Sequence, residues 1–266
     1  MKKSMCIVSL LLAVFQLSVV VSYAEDAAAH YQQGVEKDKD RDYQGAIEEF
    51  TKAIELNALD YQAYHARAAA KKKSGDHAGA IADYTKTIEL APEYVKAFNN
   101  RGNVKYALKD YSGALEDYTK AIRFAPNDAN IYRNRGLVNN KLGNNKEALA
   151  DYSKAITIEP KNGKAYAHRA NIKMMSGDFE GAITDYNKAI ELTRNNAKAY
   201  YNRGNAKFQL FDYEGAIRDY SKAIEINPKY VKAYRNRASA RIILGDNERA
   251  KDDHAQADVL SSTASF

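Results

Sequence analysis

Residues 95–128 read VKAFNNRGNVKYALKDYSGALEDYTKAIRFAPND, and the stretch carries two helical patterns separated by a polar break. Phe98, Gly102 and Lys105 fall on one face of a first helix, and Ala114, Tyr118 and Ala121 on one face of a second. Gly102 and Ala114 are small enough to let the two helices approach closely, while Phe98 and Tyr118 fill the larger gaps. Pro126 stops the second helix and starts a turn.

The chain has only four prolines, Pro92, Pro126, Pro160 and Pro228, spaced by 34, 34 and 68 residues. One interval and its double point to a 34-residue repeat. Placing proline at position 32 of each unit divides the chain into seven: 27–60, 61–94, 95–128, 129–162, 163–196, 197–230 and 231–264. Columns that played no part in that choice then align. Position 20 is Ala46, Ala80, Ala114, Ala148, Ala182, Ala216 and Ala250, and position 8 is only ever glycine or alanine. Position 24 is Phe50, Tyr84, Tyr118, Tyr152, Tyr186 and Tyr220 before it becomes His254. The break between helices, as in Gly75-Asp76-His77 or Gly143-Asn144-Asn145, sets a glycine where the first helix should end. No unit buries its apolar face alone, so the array folds by stacking.

These small, aromatic, small and proline columns, Gly102, Ala114, Tyr118, Ala121 and Pro126 in the third unit, resemble the tetratricopeptide repeat. The resemblance implies an all-α, right-handed superhelical solenoid of stacked helix–turn–helix repeats, a single array over residues 25–266. Units 1 and 7 depart most. Unit 1 has His30 where an aromatic is usual and Ala58 in place of proline. In unit 5, Arg194 takes the proline position and predicts a looser turn. Unit 7 has Lys251, Asp252, His254 and Asp258 along its second helix, the polar face of a terminal cap.

Of 266 residues, 45% are hydrophobic and 28% charged, which excludes disorder, collagen and a polytopic membrane protein. Residues 1–24 are set apart: Lys2 and Lys3 lead an apolar run from Cys6 to Val21, and Ser22-Tyr23-Ala24 supplies small residues for cleavage. The run is short for a membrane span, so the expectation is a cleaved signal peptide and an exported, periplasmic or extracellular protein with no stable membrane span after cleavage. The only cysteine, Cys6, lies in that segment, so disulfides are not expected.

Two charged columns share the repeat. Position 7 is Arg67, Arg101, Arg135, Arg169, Arg203 and Arg237, and position 23 is Glu49, Asp83, Asp117, Asp151, Asp185, Asp219 and Asp253. They read either as a ladder of bidentate arginine–carboxylate forks pinning first helices to second, or as two solvated faces that share a period. Lysine at position 26, three residues after the acid, could add i,i+3 pairs.

The sequence has no zinc-hydrolase, phosphate-loop or nucleophile-elbow motif, and its five histidines are scattered. An enzyme is not expected, nor a metal or cofactor. By resemblance, positions 2, 5, 9, 12 and 13 of the first helices line a concave groove. They hold ten basic residues, Lys39, Lys72, Lys73, Lys96, Arg133, Lys141, Lys164, Lys198, Lys232 and Arg235, against one acid, Asp38. Asn99, Asn103, Asn130, Asn171 and Asn205 add amide donors, and Tyr201 and Phe208 add apolar area. Cations, amides and aromatics together suit an extended, acidic or carboxylate-ended peptide. The alternative is that lysine at position 2 serves only solubility. Asn171, Asn202 and Lys232 match three of the five groups with which some relatives hold a chaperone's terminal carboxylate, but Ala167 and Asn236 replace the remaining two cations. The expected partner is a protein or peptide and the expected state a monomer. An assembly role in an envelope complex is a second reading, and the modest net charge argues against nucleic acid.

Overall fold

The computed structural model describes residues 24–263; the expected signal segment lies outside the described residues except for Ala24. Fourteen helices follow one another among the described residues, with no strand between them. They are α1 (24–39), α2 (Tyr43–Leu56), α3 (Tyr61–Ser74), α4 (His77–Leu90), α5 (Val95–Ala107), α6 (Tyr111–Phe124), α7 (Ala129–Lys141), α8 (Asn145–Ile158), α9 (Gly163–Met175), α10 (Phe179–Leu192), α11 (Ala197–Gln209), α12 (Tyr213–Ile226), α13 (Val231–Ile243) and α14 (Asn247–Thr263). They form two compact units, one ending at Pro126 and one beginning at Asn127. Each unit is an all-α stack of helix–turn–helix repeats.

Helices of this length are marginal alone in water, so their ends and faces have to be satisfied by neighbours. Five second helices start on a carboxylate cap: Asp42, Asp76, Asp110, Asp178 and Asp212 each accept the backbone N–H three residues on, at 2.9–3.0 Å. First helices end on a left-handed residue, Gly75, Gly143, Gly177 and Gly245 in four repeats. Arg41, Lys109 and Phe211 take the same conformation without glycine. The helix before Arg194 closes as those before the prolines do, with Thr193 N–H donating to the Ala189 carbonyl at 2.9 Å as Ala125 does to Ala121. The turns at Pro92, Pro160 and Pro228 are further closed by Tyr94 to Ala91, Asn162 to Glu159 and Tyr230 to Asn227 at 3.0 Å.

The small column works as expected. A Cβ on Gly102, Gly136 or Gly204 would sit 2.7–2.8 Å from the ring of Tyr118, Tyr152 or Tyr220. Those tyrosines, with Tyr84, Tyr186 and Phe50, are the largest fully buried side chains. In the second unit successive first helices, α7 and α9, α9 and α11, and α11 and α13, approach one another more closely than successive second helices do. First helices therefore lie on the inside of that unit's curve. In the first unit α3 and α5 touch in the same way.

The arginine–carboxylate ladder is present in all six repeats that carry both groups. Arginine Nε and Nη2 reach the two carboxylate oxygens at 2.6–3.2 Å, from Arg67–Asp83 to Arg237–Asp253. The acids are buried, and each arginine lies 5.4–5.9 Å from the centre of the position-4 ring three residues earlier. The guanidinium also donates to the previous repeat: Arg67 to Thr51 and Arg101 to Thr85 in the first unit, Arg169 to Ser153, Arg203 to Asn187 and Arg237 to Ser221 in the second.

The lysines differ from expectation. Apart from Lys52 on Glu49, paired position-26 lysines reach glutamates on the exposed surface: Lys86 to Glu89, Lys120 to Glu116, Lys188 to Glu191 and Lys222 to Glu225. The buried acid instead draws a second cation from position 11. Lys71, Lys105, Lys173, Lys207 and Arg241 approach Asp83, Asp117, Asp185, Asp219 and Asp253 at 2.8–3.0 Å. Repeat 4 is the exception, where Asn139 donates to Asp151 at 2.9 Å. In repeat 1, which lacks the arginine, His30, Lys37 and Lys52 surround Glu49 and hold its carboxyl down to about 2, His30 contributing most. In α14, Lys251, Asp252, His254 and Asp258 are exposed, as a polar cap requires.

Candidate functional site

The first-helix face of the second unit is where the expected groove residues gather. Lys164 and Lys198 open the exposed N-terminal turns of α9 and α11, with no ion-pair partner among the described residues. The pKa of His168 is pushed down to about 4, by burial first and then by the charges of Arg133, Lys198 and Lys164. His168 is therefore neutral at neutral pH. Its ring stacks on Tyr152 at 5.5 Å. Lys164, Lys198, His168, Asn171 and Asn202 line a concavity of about 240 Å³ floored by Tyr186.

The asparagines here have a defined polarity. Asn171 Oδ1 accepts from Tyr186 Oη at 2.6 Å and from Asn202 Nδ2 at 3.0 Å. Asn205 Oδ1 accepts from Tyr220 Oη at 2.9 Å and from Asn236 Nδ2 at 2.9 Å. Both carbonyl oxygens are occupied, so each asparagine has its NH₂ left to offer an acceptor. A second concavity of about 430 Å³ follows along the same helices, lined by Met174, Asn205, Phe208, Gln209, Tyr220, Asn236 and Ser239.

Other expected residues are placed differently. Tyr201 packs between Tyr220 and Tyr230 and accepts from Asn236 at 3.1 Å. Arg235 turns to Ser261 and Asp258 of α14, and Arg133 donates to Asn134 at 3.3 Å. Asn130, Lys141 and Lys232 are exposed on their helices. In the first unit, Lys73 is paired with Asp38 at 2.6 Å and lies over Tyr43. His65 is held at about 4 by burial and then by the charges of Lys96 and Lys72. Asn100 contacts its Nε2 at 3.1 Å. Asn103 accepts from Tyr118 at 2.8 Å, and Asn99 is half-buried on α5.

Sequence reasoning left His168, Gln209 and Ser239 out of the groove, and met Asn202 and Asn236 only in the comparison with a carboxylate clamp. The signal was available for His168, which follows Lys164 by four residues and so shares its helical face. Among the described residues no cluster of histidine, cysteine or carboxylate is arranged for a metal ion, and no helix is long and apolar enough to cross a membrane.

Comparison with known families places this geometry. Models described as TPR repeat match residues 102–143 and 170–210, and models described as tetratricopeptide repeat match 31–94, 129–162, 197–230 and 220–252. No curated protein sequence matches the chain. Among solved structures, PilF of Pseudomonas aeruginosa is similar with a TM-score of 0.71 at 17% identity, covering 82% of this chain and 99% of that one. A tetratricopeptide repeat protein from Parabacteroides merdae gives 0.69 at 20% identity, covering 89% and 93%. YrrB, described as a TPR protein with an unusual peptide-binding site, gives 0.60 at 27% identity, covering 69% and 95%.

Proposed function

Because this chain belongs to the tetratricopeptide-repeat family, we propose that it is a non-enzymatic scaffold whose first-helix face binds an extended, acidic segment of a partner protein. The observation that carries this reading is the concavity lined by the exposed Lys164 and Lys198 together with His168, Asn171 and Asn202. A carboxylate entering that concavity would meet both lysine ammonium groups. The amides of Asn171 and Asn205 suit backbone carbonyls of an extended chain, since both of their own carbonyl oxygens are taken. The peptide-binding site ascribed to YrrB lends support from a protein of similar fold. The leading residues 1–24 support export, so the partner would be met in the periplasm or outside the cell.

The test is fluorescence anisotropy with a short, labelled glutamate-rich peptide. Binding should weaken as salt is raised and fall at least about tenfold in a variant with Lys164→Glu, Lys198→Glu and Lys232→Glu. Unchanged binding would move the site to the second-helix face or a terminus.

A further inference from the structure

Among the described residues of the second unit, the large apolar side chains left exposed sit, Val259 apart, at the C-terminal ends of first helices: Leu142, Met175, Phe211, Ile242, Ile243 and Leu244. Met174, Phe208 and Ser239 line one concavity, so the C-terminal halves of α9, α11 and α13 lie together and their ends form one edge. Phe211 is the sharpest feature on it. Its φ is +63°, in the left-handed region where repeats 4, 5 and 7 place Gly143, Gly177 and Gly245. A bulky residue is strained there, and burial does not offset the strain, because Phe211 is 75% exposed with an edge contact to Tyr213 at 6.3 Å. Met175 in the neighbouring repeat is 67% exposed. Folding gains nothing from an aromatic at this tip, and a contiguous apolar edge of this kind marks a surface that another molecule covers.

Charge identifies the molecule. The second helices bring acids to the same edge at their N-termini, where Asp178 and Glu180 of repeat 5, Asp212 and Glu214 of repeat 6 and Glu248 of repeat 7 are exposed. The cations of these turns are engaged: Lys173, Lys207 and Arg241 turn inward to Asp185, Asp219 and Asp253, and Arg249 pairs with Asp246 at 2.6 Å. An apolar line with an acidic border repels an anionic lipid surface and suits a protein segment whose apolar residues are flanked by lysine or arginine. We propose that this edge docks a basic amphipathic helix of another protein, its apolar ridge on Met175, Phe211 and Ile243 and its cations on one flank, against Glu180 and Glu214. This second surface is separate from the first-helix groove. A helix satisfies its own backbone, whereas an extended segment would bring carbonyls that the turns cannot serve. The N–H groups of Gly177, Phe211 and Gly245 already donate to the carbonyls of Met174, Phe208 and Ile242 at 3.0–3.2 Å. Packed neighbouring helices stand ~8–10 Å apart, close to the ~10.5 Å that seven helical residues advance, so apolar residues seven apart meet successive repeats.

The probe is a labelled helical peptide with leucine at every seventh position and lysine along one flank, read by fluorescence anisotropy against the intact protein. Binding should weaken as salt is raised, and exchanging the lysines for glutamate, or the leucines for alanine, should each weaken it about tenfold or more. Phe211→Gly suits the left-handed backbone, so it should leave the thermal midpoint unchanged or raised while lowering affinity about tenfold. Glu180→Lys with Glu214→Lys should transfer the preference to the glutamate-flanked peptide. Equal affinity of the wild-type and Phe211→Gly proteins, or equal binding of the lysine and glutamate peptides, would overturn the proposal. So would docking on phosphatidylcholine vesicles in place of the peptide, or a dimer in light scattering that Phe211→Gly dissociates, since either would give the edge a different occupant.

Discussion

Arg135→Met and Arg169→Met remove the same rung from adjacent repeats, and the structure predicts unequal costs. Each arginine forks onto a buried aspartate, and each lies 5.7 Å from a tyrosine ring centre, so loss of the cation–π contact is common to both. The difference is what remains. Asp185 keeps Lys173 at 3.0 Å, whereas among the described residues Asp151 keeps only the neutral amide of Asn139 at 2.9 Å. Stranding a buried carboxylate without a cation costs about 3–5 kcal/mol. Losing charged hydrogen bonds while one cation remains costs about 1.5–3 kcal/mol. For an array of this size the shifts in Tm are roughly 10 °C for Arg135→Met and roughly 5 °C for Arg169→Met, read by circular dichroism at neutral pH. Adding Asn139→Lys to Arg135→Met supplies the missing second cation and should recover most of the gap. Equal shifts, or no recovery, would refute the claim that the position-11 group shares the load of the buried acid.

Three further outcomes follow from individual side chains. The Tyr84 hydroxyl is buried without a hydrogen-bond partner, whereas that of Tyr186 donates to Asn171, so Tyr84→Phe should leave Tm unchanged or raised and Tyr186→Phe should cost about 1 kcal/mol in chemical denaturation. Burial and neighbouring cations hold His65 and His168 at about 4, below the ordinary 6.5 of an unfolded chain. Below pH 6.5 the unfolded chain takes up protons that the folded one refuses, so denaturation midpoints should fall between pH 6.5 and 4, and His65→Gln with His168→Gln should flatten that slope. A Cβ on Gly102 would press 2.8 Å from the Tyr118 ring, so Gly102→Val should destabilise the first unit by about 1–3 kcal/mol, seen as earlier protease cleavage there.

The repeat was legible because its columns encode packing that each unit must reproduce: glycine or alanine under a ring, alanine between helices, arginine sixteen residues before an aspartate. The position-11 lysines escaped notice because a lysine on a helix usually means solvent, although four residues after the arginine is the spacing that brings two side chains to one acid. The basic face was legible as a bias in charge. Its division was not: Lys73 and Arg235 are drawn off by Asp38 and Asp258, while Lys164 and Lys198 have no such partner among the described residues. The asparagine polarity was equally hidden, because it depends on a tyrosine hydroxyl from the second helix reaching the first, a contact set by helix packing.

Hydrogen exchange of the protein with and without a bound acidic peptide tests the central claim most directly. Protection on binding should concentrate in α9, α11 and α13, strongest around Lys164–Asn171 and Lys198–Phe208, with the second helices unchanged. Protection confined to α10, α12 and α14 instead would place the ligand on the opposite face and contradict the account.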